Sequence, residues 1–450
     1  MIDKKGMNAM RTRGNIRAVV DLVAVALLLV VSLIAIWGQA LTNQRANPAG
    51  AGPTNAIPTA PGATPTPIHT SDLLTPLLPT SASIAASYSF ASTGSLNVGR
   101  QGATATLLPD GMVLITGGMV FDKNQNDVTL ANAELYDPTT GTFSYTGSLL
   151  TPRVNATATL LPDGRVLIVG GEQTLSESPW HQNLTSAEVY DPISGKFSDT
   201  GSLHTPHACQ SATLLPDGRV LITGGESYLD TYTYDAELYN PSDGRFSVLP
   251  QSPLSSYIAG PGVVLNNGQV FSLGFDYSGS EDAFGQIYDP TKGTFRLLGA
   301  GPLTLYSTAK AAKLADGRVL IVNGNAPGDP TSKAAEIYDP ISGTYSLTGA
   351  QISQADFRDL VVLPSGRVLL VSGVIESAGG EQSLPVWDNV AEIYDPISNT
   401  FAVLPSTSES HYNGTATLLN DGRVLIIGGG NYSSDNLASR AAEMLSSDRP

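Results

Sequence analysis

The chain has 450 residues, with 24 Lys+Arg against 40 Asp+Glu for a net charge of −16, 46 Gly, 30 Pro and a single Cys. The acidic balance excludes a nucleic-acid-binding surface, which needs a basic patch or stripe, and one cysteine excludes a disulfide framework and multi-cysteine metal sites. High Gly beside 41% apolar residues argues for many tight turns between short core-forming strands, not for disorder.

Residues 1–17 are a basic N-terminus carrying Lys4, Lys5, Arg11, Arg13 and Arg17. Residues 18–41 are expected to form a transmembrane signal anchor. Their apolar run, Ala18 to Trp37, is interrupted by one acid, Asp21. A helix of about 20 residues spans roughly 30 Å, the thickness of a bilayer core. The basic flank puts the N-terminus in the cytoplasm and the remainder outside. A signal peptide cleaved near Ala40 is the competing reading, although the apolar run exceeds the roughly 7–15 residues usual for one. Both readings export the rest of the chain. Residues 42–87 are a Pro/Thr-rich linker, with Pro48, Pro53, Pro58, Pro61, Pro65, Pro67, Pro76 and Pro79 among Thr, Ala and Gly. Such a segment builds no core and serves as an extended spacer.

Residues 88–450 repeat. Leu-Leu-Pro-Asp-Gly at 107–111, 160–164 and 214–218 is followed by degenerate turns at Asn267-Gly268, Asp316-Gly317, Ser365-Gly366 and Asp421-Gly422. The seven turns recur about every 50 residues, the period of a solenoid or propeller. After each comes an apolar run, such as Val166-Leu167-Ile168-Val169, that ends in Gly-Gly at 117–118, 170–171, 224–225 and 428–429. A variable segment leads to Glu-x-Tyr-Asp-Pro, as at 134–138, 188–192, 336–340 and 392–396, with an aromatic seven residues beyond the Tyr. Pro presets φ and Gly accepts positive φ, so Pro-Asp-Gly between apolar runs is a hairpin. Each repeat then reads as four short antiparallel strands, and seven such sheets stacked radially bury one another. The seventh repeat lacks its outer strand. The segment Phe90 to Leu96 matches Phe143 to Leu149 and Phe197 to Leu203, so the N-terminal strand is expected to complete the last blade and close the ring. The fold class is all-β.

The Gly-Gly, Tyr and spaced aromatic of each repeat resemble the kelch motif, over residues 88–450. The resemblance implies a seven-bladed kelch-type β-propeller. It says less of function, since such propellers mostly bind proteins or sugars and a few are enzymes.

Strand polarity sorts the loops. The Pro-Asp-Gly and Asp-Pro-x-x-Gly turns share one face. The long segments 119–131, 172–186, 226–235, 275–284, 325–334, 374–391 and 430–440 share the other, the face expected to bind. Ten residues before each turn, at the mouth of the central channel, stand Arg100, Arg153, His207, Tyr257, Tyr306, Ala355 and His411. As a ring these could hold an anionic ligand through charged hydrogen bonds and aromatic contact. They could equally bond neighbouring backbone within the blades. A second set is the loop aromatics Trp180, Tyr228, Tyr232, Tyr234, Tyr277, Phe284 and Trp387, which either gather to stack on sugar or anchor a protein, or pack their own loops.

The resemblance extends to copper-radical oxidases of the galactose oxidase type, and their pattern is matched in part. Cys209 and Tyr412 stand at suitable positions. Asn413 replaces the expected His, Ala259 stands where the crosslinked Tyr is needed, and no residue is matched to a further His from a C-terminal domain. Two of five matches do not hold copper, and Cys209 is expected to be a small buried side chain. Asp122, Asn124, Asn126 and Asp127 have calcium-like spacing without the Gly and distant Glu of an EF-hand, which favours a solvated loop. The repeated Glu is expected to build blades, not to catalyse. Asn155 and Asn413, in Asn-x-Ser/Thr, fall in predicted inner strands, against glycosylation.

The expected function is a membrane-anchored extracytoplasmic binding module for a protein or polysaccharide, with an anionic partner favoured and no cofactor. The alternatives are a glycan-active enzyme, with Glu226, Asp230, Asp276, Glu281 and Asp282 as the loop acids to pair, or a structural surface or adhesion module. Residues 1–87 hold 6 of the basic and 3 of the acidic residues, so residues 88–450 carry 18 basic against 37 acidic, a net −19.

Overall fold

The computed structural model describes residues 84–124, 126–175, 181–227, 231–232, 235–250, 262–275, 283–298, 309–322, 334–350, 356–375, 386–430 and 438–447. The expected anchor 18–41 and the linker up to residue 83 lie outside the described residues. Among those described, no helix is long and apolar enough to cross a membrane.

The repeats fold into seven four-stranded antiparallel sheets. In the first blade the strands are Thr104–Leu107, Val113–Thr116, Ala133–Asp137 and Thr142–Tyr145, from the channel outward. The apolar run after each turn is the second strand. In blades 1, 2, 3 and 5 all four of its residues are buried, because neighbouring blades cover both its faces. That is why it reads as a continuous apolar run and not as an alternation.

The seven-residue spacing of the aromatics also has a cause. It places Tyr136 opposite Phe143, and Tyr190 opposite Phe197, across the third and fourth strands. The rings pack at 4.7 and 4.8 Å, tilted, a favourable arrangement for aromatic quadrupoles. The Tyr136 hydroxyl meets Thr93 Oγ1 at 2.8 Å and that of Tyr190 meets Thr146 Oγ1 at 2.9 Å, so each aromatic also reaches the preceding blade.

Closure is as expected. Tyr88–Ser92 pairs antiparallel with Ala442–Ser447 in register Phe90↔Leu445, giving the last blade one strand from the N-terminal end of the repeat region and three from its C-terminal end. The packed chain starts earlier than the boundary expected at 88, since Ile84 and Tyr88 are buried against Leu369, Ile393 and Ile426. Among the described residues there are seven apolar clusters, and each spans one blade interface. The cluster that joins Val113 and Tyr136 of the first blade to Leu425 and Met444 of the last completes the circle.

The variable segments of the first three blades are not open loops. They fold into two-stranded ribbons: Met119–Phe121 with Asp127–Thr129, Glu172–Thr174 with His181–Asn183, and Glu226–Ser227 with Thr231–Tyr232. In the sixth blade the second and third strands themselves lengthen, to Val368–Ile375 and Val386–Asp395.

Candidate functional site

The channel mouth is built by backbone. Gly102, Asn155, Cys209 and Asn413 occupy equivalent places in four blades, all with φ between 55° and 61°. Around the mouth, Gly102 N donates to Asn413 O at 2.8 Å, Asn155 N to Gly102 O at 3.0 Å and Cys209 N to Asn155 O at 3.1 Å. The left-handed conformation turns each amide toward the neighbouring blade, which suits Gly and Asn best. Cys209 is half-buried, not the fully buried side chain expected, and its place is set by this backbone chain.

Two residues before these positions stand Arg100, Arg153, His207 and His411. The expected ligand ring is not what they form: all four are buried, Arg100 to 1% exposure and His207 to 0%. Arg100 Nη1 donates to Gly117 O at 2.7 Å and Asn132 O at 3.2 Å, and Nη2 donates to Asn132 Oδ1 at 3.0 Å and Glu134 Oε1 at 2.7 Å. Arg153 repeats the pattern on Gly170 O, Ser186 and Glu188. His207 Nδ1 donates to Gly224 O at 2.8 Å. His411 Nδ1 donates to Gly428 O at 2.9 Å, with Nε2 3.2 Å from Glu443 Oε1. A buried charge must be paired, and for both arginines the Gly-Gly carbonyl and the repeated Glu of the same blade take the Nη donors and balance the charge. Burial pulls the Arg100, Arg153 and His207 pKa values down, partly offset for the arginines by Glu134 and Glu188 and for His207 by the Gly224 carbonyl. Burial alone would raise the Glu443 carboxyl, but hydrogen bonds from His411, Ser408 and Glu409 outweigh it and hold it at about 2.

The same Glu fixes the incoming connection. Glu134 accepts from Asn97 N and Val98 N at 2.8 and 3.1 Å, and Glu188 from Leu150 N and Thr151 N at 2.7 and 3.0 Å. It is a blade-building residue, as expected. The Gly pair is needed because the next blade's backbone docks on it. Gly118 N donates to Arg153 O at 2.9 Å, and a Cβ on Gly117 would strike that carbonyl.

The loop face holds a cluster that repeat counting missed. His181, on the ribbon of blade 2, has Nδ1 2.8 Å from Glu172 Oε2 and Nε2 3.1 Å from Asp127 Oδ2 on the ribbon of blade 1. Thr129 and Thr174 exchange backbone-to-hydroxyl hydrogen bonds at 3.1 and 3.2 Å beside it. The carboxylates, Glu172 foremost, push the His181 pKa up. With a carboxylate on each ring nitrogen the imidazole is a cationic clasp and offers no free nitrogen for base catalysis. Asn155 Nδ2 joins the cluster through Glu172 Oε1 at 2.9 Å. Asp127 and His181 share one repeat position, seven before the repeated Glu, but a histidine stands there once, so no motif signalled the pairing; the acid-rich ribbon around a lone loop histidine was the hint.

On the inner strand of blade 6, Asp359 accepts from Ala416 N of blade 7 at 2.9 Å. Burial raises its carboxyl to about 6, with Lys310 of blade 5 pulling the other way.

The remaining candidates are placed only in part. Trp180, Tyr228, Tyr234, Tyr257, Tyr277 and Tyr306 lie outside the described residues. Tyr232 pairs with Glu226, Phe284 with Gly274 and Trp387 with Val374 along extended strands. Of the loop acids, Glu226 alone is described. Asp122 accepts from Asn124 N and Asn126 N at 2.7 and 2.9 Å, so the calcium-like run is a ribbon turn closing on itself. Among the described residues no group of three or more His, Cys, Asp or Glu is arranged to hold a metal ion.

No family model matches the chain. It is 27% identical over 139 residues to a curated relative, the kelch-like protein terF of Aspergillus terreus, a match covering 31% of this chain and 29% of the relative. Among solved structures it is similar to a fungal alcohol oxidase of the AA5 family in complex with copper, with a TM-score of 0.58, 16% identity, and coverage of 80% of this chain and 76% of that one. At that identity the likeness concerns the fold alone.

Proposed function

Starting from a chain that is a kelch-type seven-bladed β-propeller, we propose that it is a binding module, displayed outside the cytoplasm by the 18–41 anchor, whose loop face engages a protein or polysaccharide. The observation that carries this reading is the His181 clasp. It joins the ribbons of blades 1 and 2 into one platform on the face whose segments vary, while the opposite face keeps stereotyped turns. Binding surfaces favour variable segments held rigid by a scaffold. Val128 and Leu175, exposed at 39% and 41%, supply apolar contact on that platform. An anionic partner loses its support with the burial of the four mouth residues. The oxidase reading gains nothing specific, since Cys209 sits where the backbone chain requires a left-handed residue and the fold likeness does not carry chemistry.

A glycan array and a pull-down with the full chain test this, comparing wild type with Val128→Asp/Leu175→Asp and with Ile397→Asp on the turn face. Retention lost in the double variant and kept in Ile397→Asp is expected. Equal retention by all three, or by none, overturns it. Alkaline extraction and protease protection of intact cells test the anchor.

A further inference from the structure

The turn face contains an internal comparison. The residue two beyond each hairpin Asp position is Met112, Arg165, Arg219, Gln269, Arg318, Arg367 and Arg423 in blades 1 to 7. Arg219 holds Asp217 Oδ2 through Nε at 2.9 Å and Nη2 at 2.6 Å, and Nη2 reaches the carbonyl of Pro290 in the next blade at 3.4 Å. Arg423 does the same with Asp421 and, at 3.1 Å, with Pro138 O of blade 1. Arg165 and Arg318 hold Asp163 and Asp316 in the same way. At the junctions of blades 3 and 4 and of blades 7 and 1 the guanidinium thus bridges the groove between two blades. Cavities of about 560 Å³ and about 320 Å³ lie at the junctions of blades 1 and 2 and of blades 4 and 5, the two that have Met112 and Gln269 in place of Arg.

The two openings differ in charge. At the second, Asn267 replaces the Asp, and Gln269 Nε2 turns to Asp289 of its own blade at 3.2 Å. At the first, the Asp remains. Asp110 accepts from Met112 N at 3.0 Å, and among the described residues no side chain pairs with its carboxylate or donates to Pro192 O across the groove. Asp163 and Asp191 line the same cavity against one cation, Arg165, which is committed to Asp163. Ile193, 97% exposed, forms the outer wall.

We propose that the cavity between blades 1 and 2 is a docking site for an arginine side chain of a partner protein. The guanidinium would take the place that Arg219 and Arg423 occupy at their own junctions, bidentate on Asp110 and donating to the Pro192 carbonyl. Its methylene stem would lie on Ile193, and the unbalanced carboxylates favour a cation. The site is on the opposite face from the loop platform, so it stands or falls independently of the function proposed above.

The test is a methyl-NMR titration of the full chain with acetyl-Gly-Arg-Gly-amide, read at Met112 and Ile193. The citrulline peptide, equal in shape and uncharged, and the lysine peptide are the comparators. Saturable shifts with the arginine peptide are expected, at least about tenfold weaker with citrulline and several-fold weaker with lysine. Asp110→Asn should weaken binding at least about fivefold. Met112→Arg, which restores the chain's own seal, should abolish the Ile193 response. In the other cavity, Asn267→Asp should create a response at Ile341. Equal binding of the citrulline or lysine peptide, or an Ile193 response unchanged in Met112→Arg, overturns the proposal.

Discussion

Replacing Arg153 by Met separates a ligand residue from a structural one. The thioether keeps most of the apolar stem and removes the head. Four hydrogen bonds within 3.1 Å disappear, to Gly170 O, Ser186 O, Ser186 Oγ and Glu188 Oε1. Glu188, fully buried, retains its charge with only the Leu150 and Thr151 amides as donors. Breaking a buried ion pair from one side costs about 3–5 kcal/mol, whereas an exposed arginine waiting for a ligand changes stability by no more than about 0.5 kcal/mol. Urea unfolding of the full chain reads the difference. The double variant Arg153→Met/Glu188→Gln removes the stranded charge while keeping an acceptor for the two amides. It should recover about 1 kcal/mol or more relative to the sum of the single changes, the coupling expected of groups in contact. A single variant within about 0.5 kcal/mol of wild type would refute the reasoning.

Three further outcomes are expected. His181 titrates above its ordinary 6.5, so the ribbon clasp is complete below that pH and loosens as pH rises through the folded value; amide exchange at Thr129 and Thr174 should accelerate there, and be fast at all pH in His181→Ala. The Asp359 carboxyl is raised from 3.8 to about 6, so its contribution is present below 3.8 and lost as pH rises through 6; Asp359→Asn should lie above wild type in urea midpoint at pH 7.5 and converge with it near pH 4. Gly171→Ala places a Cβ against Val154 O and Ala156 N at φ +84°, and should cost about 2 kcal/mol or more in the same assay.

The ring was legible because each blade restates it. The hairpin turn with its apolar run, restated seven times, and the Tyr paired with an aromatic seven residues on, restated six times, each report a local register that repetition makes unambiguous, and the orphan outer strand at Phe90 betrayed the closure. The site was less legible for two physical reasons. A polar residue at the head of an inner strand can point into the channel or back into the wall, and spacing does not distinguish the two. The partner decides: Arg100, Arg153 and His411 reach the repeated Glu of their own blades, at 134, 188 and 443, while His207 turns to the Gly224 carbonyl, and buried polar groups take such partners in the wall. The clasp of His181, Glu172 and Asp127 was hidden for a different reason: Asp127 and His181 stand at one repeat position, seven before the repeated Glu, but a histidine stands there once, so no motif restates the pairing from blade to blade.

These placements change what the charge of the propeller means. The net of −19 for residues 88–450 already favours acid, and much of the positive side is internally committed. Arg100 and Arg153 are buried on Glu134 and Glu188, while Arg165, Arg219, Arg318 and Arg423 are tied to the Asp of their own turns. A committed cation contributes little to the field at a distance, because its partner cancels it within a few ångströms. The carboxylates without such partners dominate what an approaching molecule meets, so encounter favours cationic surfaces. A partner that approaches the turn face meets that field at its most specific between blades 1 and 2. There Met112 has removed the seal and left Asp110 behind.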